Sequence, residues 1–159
     1  MPKPRIYVET TIPSMYHSGR SDPRTTGWRD ATREWWGIAA ASCDLITSEA
    51  VLKELAHGRP EHSLRRLALL QGLPVLEIDD ASSATAVVYI QHKLMPANPH
   101  GDALHLALAS HHECDVLATW NYHHLANPNK LDRIRRLNEE LGLAVPRILT
   151  PQHLLGEVS

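Results

Sequence analysis

Residues 101–121, GDALHLALASHHECDVLATWN, limit the folds open to this chain more than any other stretch. An apolar helical segment leads through a Cys-Asp turn into a short run of β-forming residues, and the same alternation recurs along the sequence. Short apolar strands separated by helices are typical of a parallel sheet covered by helices, so we predict an α/β sandwich. The predicted strands are residues 5–8, 44–47, 75–78, 116–119 and 147–150.

Helix-start and helix-stop residues place the predicted helices between those strands. On the first long helix, Trp28, Trp35, Ile38 and Ala39 fall on the apolar side. Prolines make residues 95–100 a predicted loop, and Pro151 opens a predicted C-terminal turn. The predicted helices are residues 23–41, 49–57, 61–70, 81–94, 102–112 and 130–141, with a turn or short helix at residues 12–14.

One domain, residues 1–159, accommodates the whole chain, because this length can bury a real core and no linker divides it. No stretch approaches the ~18 apolar residues of a membrane span, and we expect no signal peptide. Cys43 and Cys114 lack metal-site spacing, so we expect free thiols in a cytoplasmic protein. The net charge of -2 means that any surface for nucleic acid must be local.

Glu9, Asp102 and Asn121 are all predicted to lie at the edge of the sheet where the parallel strands end. Glu9 follows the first strand directly, and Asn121 lies two residues past the fourth strand. Asp102 opens the helix that leads into the fourth strand. Such a helix runs antiparallel to the strands and therefore starts at the same edge. Because open α/β sheets bind their ligands at this edge, these residues are candidates for a functional site.

A fourth candidate comes from the helix after the second strand, which carries Glu49 and Glu54. Their spacing puts them about 140° apart around the helix, so they cannot share a face. Glu49 can pair with Lys53 four residues later, whereas Glu54 has only Gly58 at that spacing and lies near the buried stripe. We therefore predict that Glu54 points inward, with Glu49 as the second choice.

Three carboxylates that converge need a counter-charge. Each close pair costs on the order of 4 kcal/mol at a separation of about 4 Å and an effective dielectric constant near 20. Carboxylate oxygens suit hard divalent cations, and Mg²⁺ keeps several waters for a phosphate or an attacking hydroxide. We therefore predict a Mg²⁺ or Mn²⁺ site. The alternative is that Glu9, Glu54 and Asp102 are separate caps on the surface.

Three segments resemble the PIN-domain ribonucleases, the fold of the VapC-type toxins of bacterial toxin–antitoxin pairs. They are IYVETTIPS at residues 6–14, TSEAVLKELAHG at residues 47–58, and residues 101–121. With the order of strands and helices, the resemblance covers nearly the whole chain. It implies a three-layer α/β/α sandwich with a central, mostly parallel sheet of about five strands. It also implies Mg²⁺ or Mn²⁺ as cofactor and a set of metal-binding and catalytic residues: Glu9, Glu54, Asp102 and Asn121.

Two of these positions depart from the commonest pattern of the family. Glu9 stands where Asp is usual, and Asn121 stands where many members have Asp, so the site has one negative charge fewer. The resemblance implies hydrolysis of an RNA phosphodiester by the toxin of a type II pair, with a cognate antitoxin and a homodimeric state. Thr10 or Thr119 would hydrogen-bond a ligand carboxylate or a phosphate oxygen. The alternative is a catalytically weak PIN-like module that binds RNA or protein.

Arginines interleaved with tryptophans in and before the first long helix are candidates for contact with RNA. Single-stranded RNA is commonly held by cations along its backbone and by aromatic stacking. A solvated helix face with core tryptophans produces the same pattern and is the alternative interpretation. The candidate RNA-binding residues are Arg24, Arg29, Arg33 and Trp36, and a second cationic run is Arg133, Arg135 and Arg136.

Two further interpretations have less support in the sequence. The histidines suggest zinc, but none has a signature such as HExxH, and His105 is predicted to pack beside Leu104 and Ala109. A phosphate-transfer fold of the haloacid-dehalogenase type requires a second Asp where Thr11 stands. A receiver-type fold requires a Lys near the end of a late strand, which residues 147–150 do not provide.

Overall fold

Five parallel strands form the central sheet of the computed structural model, which describes residues 2–97 and 101–157. The strands are β1 (Arg5–Val8), β2 (Asp44–Ser48), β3 (Val75–Leu76), β4 (Val116–Ala118) and β5 (Arg147–Leu149). They lie in the order β3-β2-β1-β4-β5, and each neighbouring pair is parallel. The predicted parallel sheet is thus confirmed, although β3 is shorter than the predicted strand because it pairs with β2 over only two positions.

Helices fill the connections between the strands. Asp22, Ser48 and Asp79 each accept a hydrogen bond from a backbone N–H of the helix that follows, which satisfies a donor at each helix start. No helix in the described part of the chain is long and apolar enough to cross a membrane. The helices are α1 (Thr11–Tyr16), α2 (Pro23–Ser42), α3 (Glu49–Ala56), α4 (Pro60–Leu69), α5 (Asp80–Gln91), α6 (Gly101–His111), α7 (Pro128–Glu140) and α8 (Pro151–Glu157).

Two expectations about the helices are wrong. Pro151 opens helix α8 rather than a turn, because proline is well tolerated at the first position of a helix. Ile38 is 38% exposed, whereas Trp35 and Ala39 are buried. The buried stripe of α2 is centred between Trp35 and Ala39, and each step along a helix turns the side chain by about 100°, so Ile38 falls beyond the edge of the stripe.

The predicted loop at residues 95–100 is described only in part. Residues 95–97 lie outside helices and strands, as expected, and residues 98–100 fall outside the described residues.

The two central strands are buried because helices cover both faces of the sheet. Right-handed crossovers place the connections from β1 through β2 to β3 on one face, and those from β3 through β4 to β5 on the other. Tyr7 and Leu117 in these central strands are fully buried, as is Leu106 on α6. Cys43 and Cys114 are free thiols, as expected, and burial raises the pKa of Cys114 to about 11.

The chain reverses direction across the sheet between β1 and β4. From β1 the chain continues toward β2 on one side, and from β4 it continues toward β5 on the other. A crevice therefore opens between the carboxyl ends of β1 and β4, since the connections leave it on opposite sides. This crevice is the position that the fold offers to a ligand.

Candidate functional site

The segments that follow β1 and β4 are cross-linked by hydrogen bonds at this crevice. The Glu9 backbone N–H donates to the Ala118 carbonyl at 3.2 Å, which extends the pairing of the two strands by one residue. The Trp120 backbone N–H donates to the Thr11 hydroxyl at 2.8 Å. The side chains that follow the two strands are therefore held together, as the sequence analysis predicted for Glu9 and Asn121.

Glu9 is buried at the centre of the crevice, with 2% of its surface exposed. Its Oε1 accepts a hydrogen bond from the Thr119 hydroxyl at 2.9 Å, and its Oε2 accepts one from the Thr11 backbone N–H at 2.7 Å. Burial raises the pKa of Glu9, while the charge of His105 and the bonds from the two threonines act in the opposite direction. Both carboxylate oxygens are thus fixed by the protein itself.

Asp102 lies beside Asn121 across the crevice, in the first turn of α6. The Asn121 Nδ2 donates to Asp102 Oδ1 at 3.0 Å, and its Oδ1 accepts from the His124 backbone N–H at 2.9 Å, which fixes the orientation of the amide. Burial raises the pKa of Asp102, and so does the nearby charge of Glu54, against the opposing charges of His124 and His105. From the described residues, Asp102 Oδ2 receives no hydrogen bond.

Glu54, rather than Glu49, points toward this cluster. Its Oε1 lies 2.7 Å from His105 Nε2. Burial acts to raise the pKa of Glu54, but the hydrogen bond and charge of His105 outweigh it, so the pKa is lowered. The side chain is 41% exposed, so it reaches the site from the surface. Glu49 instead accepts a hydrogen bond from the Ile78 backbone N–H at 3.3 Å. The first choice between the two acids is therefore the one that the structure places at the site.

His105 joins the acids, which the sequence analysis missed. Packing alone does not describe this residue: it is 1% exposed, and it is also hydrogen-bonded to Glu54 and, through Nδ1 at 2.6 Å, to the Tyr7 hydroxyl. Burial lowers its pKa, but the bond to Glu54 and the charges of Glu9, Glu54 and Asp102 prevail and raise it. A signal was present, because His105 lies three residues after Asp102 and so shares its helix face.

The two predicted threonines take different positions. Thr119 hydrogen-bonds Glu9, and its hydroxyl also accepts from the Asn121 backbone N–H at 2.9 Å. Thr119 therefore contacts the carboxylate of Glu9, in line with the prediction that Thr10 or Thr119 would hydrogen-bond a ligand carboxylate. The Thr10 hydroxyl lies 3.5 Å from His105 Nε2, at the limit of a hydrogen bond.

The predicted RNA-binding arginines bond to the chain itself or cover its aromatic rings. Arg29 Nη1 donates to the carbonyls of Ser18 and Arg20 at 2.9 and 2.7 Å, and Arg33 Nε donates to the Tyr16 carbonyl at 2.9 Å. These two arginines hold residues 16–20 against α2.

Arg24 lies nearer to the crevice. Its guanidinium carbon is 4.3 Å from the ring centroid of Trp28, and Trp28 stacks on Trp120 just past β4 at 4.6 Å. Contact of these arginines with RNA stays a prediction.

Trp36 is not brought to the acids. It lies near the C-terminal end of α2 and lines a cavity of about 640 Å³ together with Arg5 and Asp44, the first residues of β1 and β2. These strand starts mark the edge of the sheet opposite the crevice. Any contact of Trp36 with RNA would therefore be remote from the four predicted site residues.

The acids offer a donor set of the kind that a hard divalent cation prefers. Glu9, Glu54 and Asp102 supply carboxylate oxygens, and the charges of all three act on the buried His105. Within residues 2–97 and 101–157, no group of three His, Cys, Asp or Glu side chains is close enough to hold one ion. In chemistry the three carboxylates nevertheless suit such a cation, and Asp102 Oδ2 is an oxygen to which none of the described residues donates a hydrogen bond.

Solved structures with this fold include components of toxin–antitoxin complexes. VapBC2 from Rickettsia felis, bound to a DNA fragment from its promoter, matches with a TM-score of 0.58 and 14% identity, over 92% of this chain and 98% of that chain. A toxin–antitoxin complex from Klebsiella pneumoniae matches with a TM-score of 0.58 and 18% identity, over 92% and 97%. FitAcB from Neisseria gonorrhoeae matches with a TM-score of 0.54 and 15% identity, over 93% and 99%.

No protein-family model matches the sequence, and no curated protein does. The likeness therefore concerns the fold, and it extends over nearly the whole of each chain. The chain has the VapC-like, PIN-like α/β/α fold that the sequence resemblance implied.

Proposed function

We propose that this chain is a metal-dependent endoribonuclease and the toxin of a toxin–antitoxin pair. The observation that carries the proposal is the position of Glu9, Glu54 and Asp102 at the crevice between β1 and β4, where the charges of all three act on the buried His105. Acids gathered at this position of an open α/β sheet are suited to a phosphate ester held by a cation. The likeness in fold to chains solved in toxin–antitoxin complexes supports the same role.

Mg²⁺ or Mn²⁺ is the proposed cofactor, which Asp102, Glu9 and Glu54 would hold directly or through waters, together with Asn121. When bound, such a cation activates water and stabilises the charge that develops on the phosphate. The chain keeps the ligands in place: Thr119 and Thr11 fix Glu9, and Asn121 fixes one oxygen of Asp102. The Asn121 amide is in turn anchored by the His124 backbone and so is positioned to orient a water.

A basic surface beside Asp102 is the proposed path of the RNA. A cavity of about 450 Å³ is lined by Lys93, His123, His124 and Lys130 above an apolar floor. His124 and Lys130 lie close enough for their charges to interact with Asp102. A cation such as Lys130 at this distance can hold a phosphate that flanks the scissile bond, and in a chain with a net charge of -2 such attraction must be local.

Cleavage of single-stranded RNA with and without Mg²⁺ or Mn²⁺ tests the proposal. We expect cation-dependent cleavage that Asp102→Asn and Glu54→Gln reduce on the order of 100-fold or more, the effect of removing one charged group from a preorganised site. Glu49→Gln on the same helix is the matched control and should retain activity. Unchanged cleavage by Asp102→Asn would show that the assignment is wrong.

A catalytically weak module that binds RNA or protein is the second candidate. Two observations favour it: Asn121 adds no negative charge next to Asp102, and one oxygen of Glu54 is already hydrogen-bonded to His105. This candidate predicts RNA binding without cleavage at any Mg²⁺ or Mn²⁺ concentration. Asn121→Asp adds the missing charge, and cleavage that appears only in this variant would favour the weak module over an active toxin.

The proposed partners are the RNA substrate, a cognate antitoxin and a second copy of the chain. The neighbouring structures are complexes of toxins with antitoxins, which supports the antitoxin. Sedimentation of the purified chain tests the homodimer, and a sedimentation coefficient of a monomer at micromolar concentration would contradict it.

A further inference from the structure

A buried chain of three polar side chains leads away from Glu54, and these three have no part in the proposed hydrolysis. The Ser48 hydroxyl lies 2.7 Å from the Tyr7 hydroxyl, which lies 2.6 Å from His105 Nδ1. His105 Nε2 then lies 2.7 Å from Glu54 Oε1. Ser48, Tyr7 and His105 are fully or almost fully buried, whereas Glu54 at the end of the chain is 41% exposed.

The direction of the last hydrogen bond does not depend on how the others are arranged. An ionised carboxylate only accepts, so the proton on His105 Nε2 must be donated to Glu54. At Nδ1, Tyr7 can donate to a neutral ring or accept from a charged one, and the Ser48 hydroxyl rotates to match. In both arrangements His105 presents a rigid N–H to Glu54 from a buried position.

The backbone of Gly101 forms the other side of the space in which the Glu54 carboxylate lies. A Cβ built on Gly101 would collide with Glu54 Oε1. Glu54 would otherwise be a long, partly exposed side chain with several rotamers available. Here the carboxylate rests against the backbone of Gly101 on one side and is bonded by His105 on another.

We propose that His105 is a positioning residue that fixes Glu54 Oε1 against Gly101 and leaves the second carboxylate oxygen for the cation site. The inference rests on the proposed function, because the fixed carboxylate is one of the proposed ligands. It adds a residue from α6 that contacts neither RNA nor cation. Groups that orient ligands in this way typically change metal affinity by about 10–100-fold when they are removed.

Two substitutions of His105 separate positioning from packing. In His105→Gln the side-chain amide reaches the position of Nε2 and can donate to Glu54, whereas in His105→Asn it reaches only the position of Nδ1. Both lose the buried ring. Titration with Mn²⁺ alone, followed by electron paramagnetic resonance, should give wild-type affinity within about threefold for His105→Gln and a loss of about 10–100-fold for His105→Asn. Equal affinities in the two variants would overturn the proposal.

Gly101→Ala tests the same position without changing His105. The added methyl group displaces Glu54, so Mn²⁺ affinity should fall although alanine favours the helix. Gly37→Ala on α2 is the matched control, because its Cβ would meet no atom within 4 Å. An unchanged Mn²⁺ affinity in folded Gly101→Ala would count against the proposal. This test remains available even if His105→Asn does not fold.

The hydrogen bond itself can be measured without any metal. The ring Nε2–H of the buried His105 should give a slowly exchanging proton signal that disappears in His105→Asn. Glu54→Ala should shift this signal, and Glu49→Ala should leave it in place. A wild-type protein that binds no Mn²⁺ would refute the proposed function, while a signal that does not change in Glu54→Ala would refute the role of His105.

Discussion

At the scale of single residues, Thr119 holds the site together. Its one hydroxyl donates to Glu9 and accepts from the backbone of Asn121, so it connects two of the four predicted site residues. The hydroxyl is fully buried, and the carboxylate that it bonds is 2% exposed. A bond to a buried charge is worth more than one between neutral groups, because water cannot replace it.

Thr119→Val should therefore destabilise the protein and weaken the site. We expect a loss of about 1.5–3 kcal/mol in the free energy of unfolding, the range for a hydrogen bond to a charged group. Urea denaturation at neutral pH measures the loss, and RNA cleavage should fall as Glu9 loses its fixed orientation. Thr119→Ser keeps the hydroxyl and is the control. Equal stability of the valine and serine variants would contradict the role of the hydroxyl.

The sequence predicted the acids of the site better than the groups that orient them. Glu9, Asp102 and Asn121 could be placed because the direction of parallel strands and of the helices between them determines where each residue lies. The choice of Glu54 over Glu49 followed from helix geometry. Helix geometry also places His105 on the face of Asp102, but its partners could not be predicted, since its bonds to Tyr7 and Glu54 join residues far apart in sequence.

At the scale of elements, α2 is joined to the crevice by aromatic and polar contacts. The Trp120 indole N–H donates to the Thr32 hydroxyl at 2.8 Å, and the Thr32 hydroxyl itself donates to the Trp28 carbonyl at 2.6 Å. Trp28 stacks on Trp120 with an interplanar angle of 15°. The segment that carries Asn121 is thus fixed to a long helix directly beside the site.

Thr32→Val tests this connection. It leaves the buried indole N–H of Trp120 without an acceptor, which should cost about 1–3 kcal/mol in the free energy of unfolding. Tryptophan fluorescence during urea denaturation reports both the loss and any change around Trp120. Thr26→Val on the same helix is the control, because the Thr26 hydroxyl has only a bond of 3.5 Å to Arg29. Equal losses in the two variants would contradict the assignment.

Helix α5 provides a test that depends on pH. Asp79 caps the helix by accepting from the Ser82 backbone N–H at 2.7 Å, and bonds from Ser82 together with the charge of His112 lower the pKa of Asp79. Because the pKa is lowered in the folded state, the ionised carboxylate adds stability at pH values above its usual pKa of 3.8. This stability is lost as the pH falls through the lower pKa of the folded state.

Asp79→Ala should cost about 1 kcal/mol at neutral pH, as the loss of a helix cap usually does. Asp79→Asn keeps a capping oxygen without the charge. Its loss in the free energy of unfolding should therefore be smaller than that of Asp79→Ala, and it should vanish in acid. Urea denaturation between pH 3 and pH 7, a range that includes the usual Asp pKa of 3.8, measures the loss in the free energy of unfolding for both variants. If the stability lost in Asp79→Asn grew as the pH fell, the charge of Asp79 would not stabilise the folded protein as its lowered pKa requires.

The helices and strands could be predicted from the sequence wherever the local residue pattern alone determines the secondary structure. Four of the five strands and the capped helices follow from runs of β-forming residues and from cap residues such as Asp22 and Ser48. The helix α8 was missed because its start, Pro151, is compatible with a turn as well as with a helix. The contact of α8 with α2 stabilises the helical alternative, and that contact is not visible in the sequence.

At the scale of the whole molecule, the charge distribution predicts how RNA binding depends on salt. The formal net charge is -2, so the attraction to RNA must be local, and we assign it to the cavity lined by Lys93 and Lys130. Lys93→Ala and Lys130→Ala should each reduce the slope of log affinity against log salt by roughly 0.7, the value for one phosphate contact in a single strand. Fluorescence anisotropy with a short single-stranded RNA measures the slope.

Lys3→Ala is the control for these two lysines. Lys3 lines the cavity at the opposite edge of the sheet, so its loss should leave the slope unchanged. A slope that falls equally in all three variants would show that binding reflects total charge rather than this surface.

The fold of the molecule was the most predictable level. Solved structures share it at 14 to 18% sequence identity, because strand order and helix placement depend on the pattern of apolar residues and not on their identities. The oxygens that could hold a cation depend on individual side chains, so the same fold does not settle them.

The order in which the chain is synthesised has a consequence for the crevice. Thr119 and Glu9, whose side chains bond there, lie 110 residues apart in sequence. On the ribosome, a nascent chain contains Glu9 well before it contains β4, the strand against which Glu9 must lie. Whatever chemistry the crevice performs can begin only when synthesis has passed Asn121, so the cell that makes this protein is not exposed to it before both sides of the crevice have been translated.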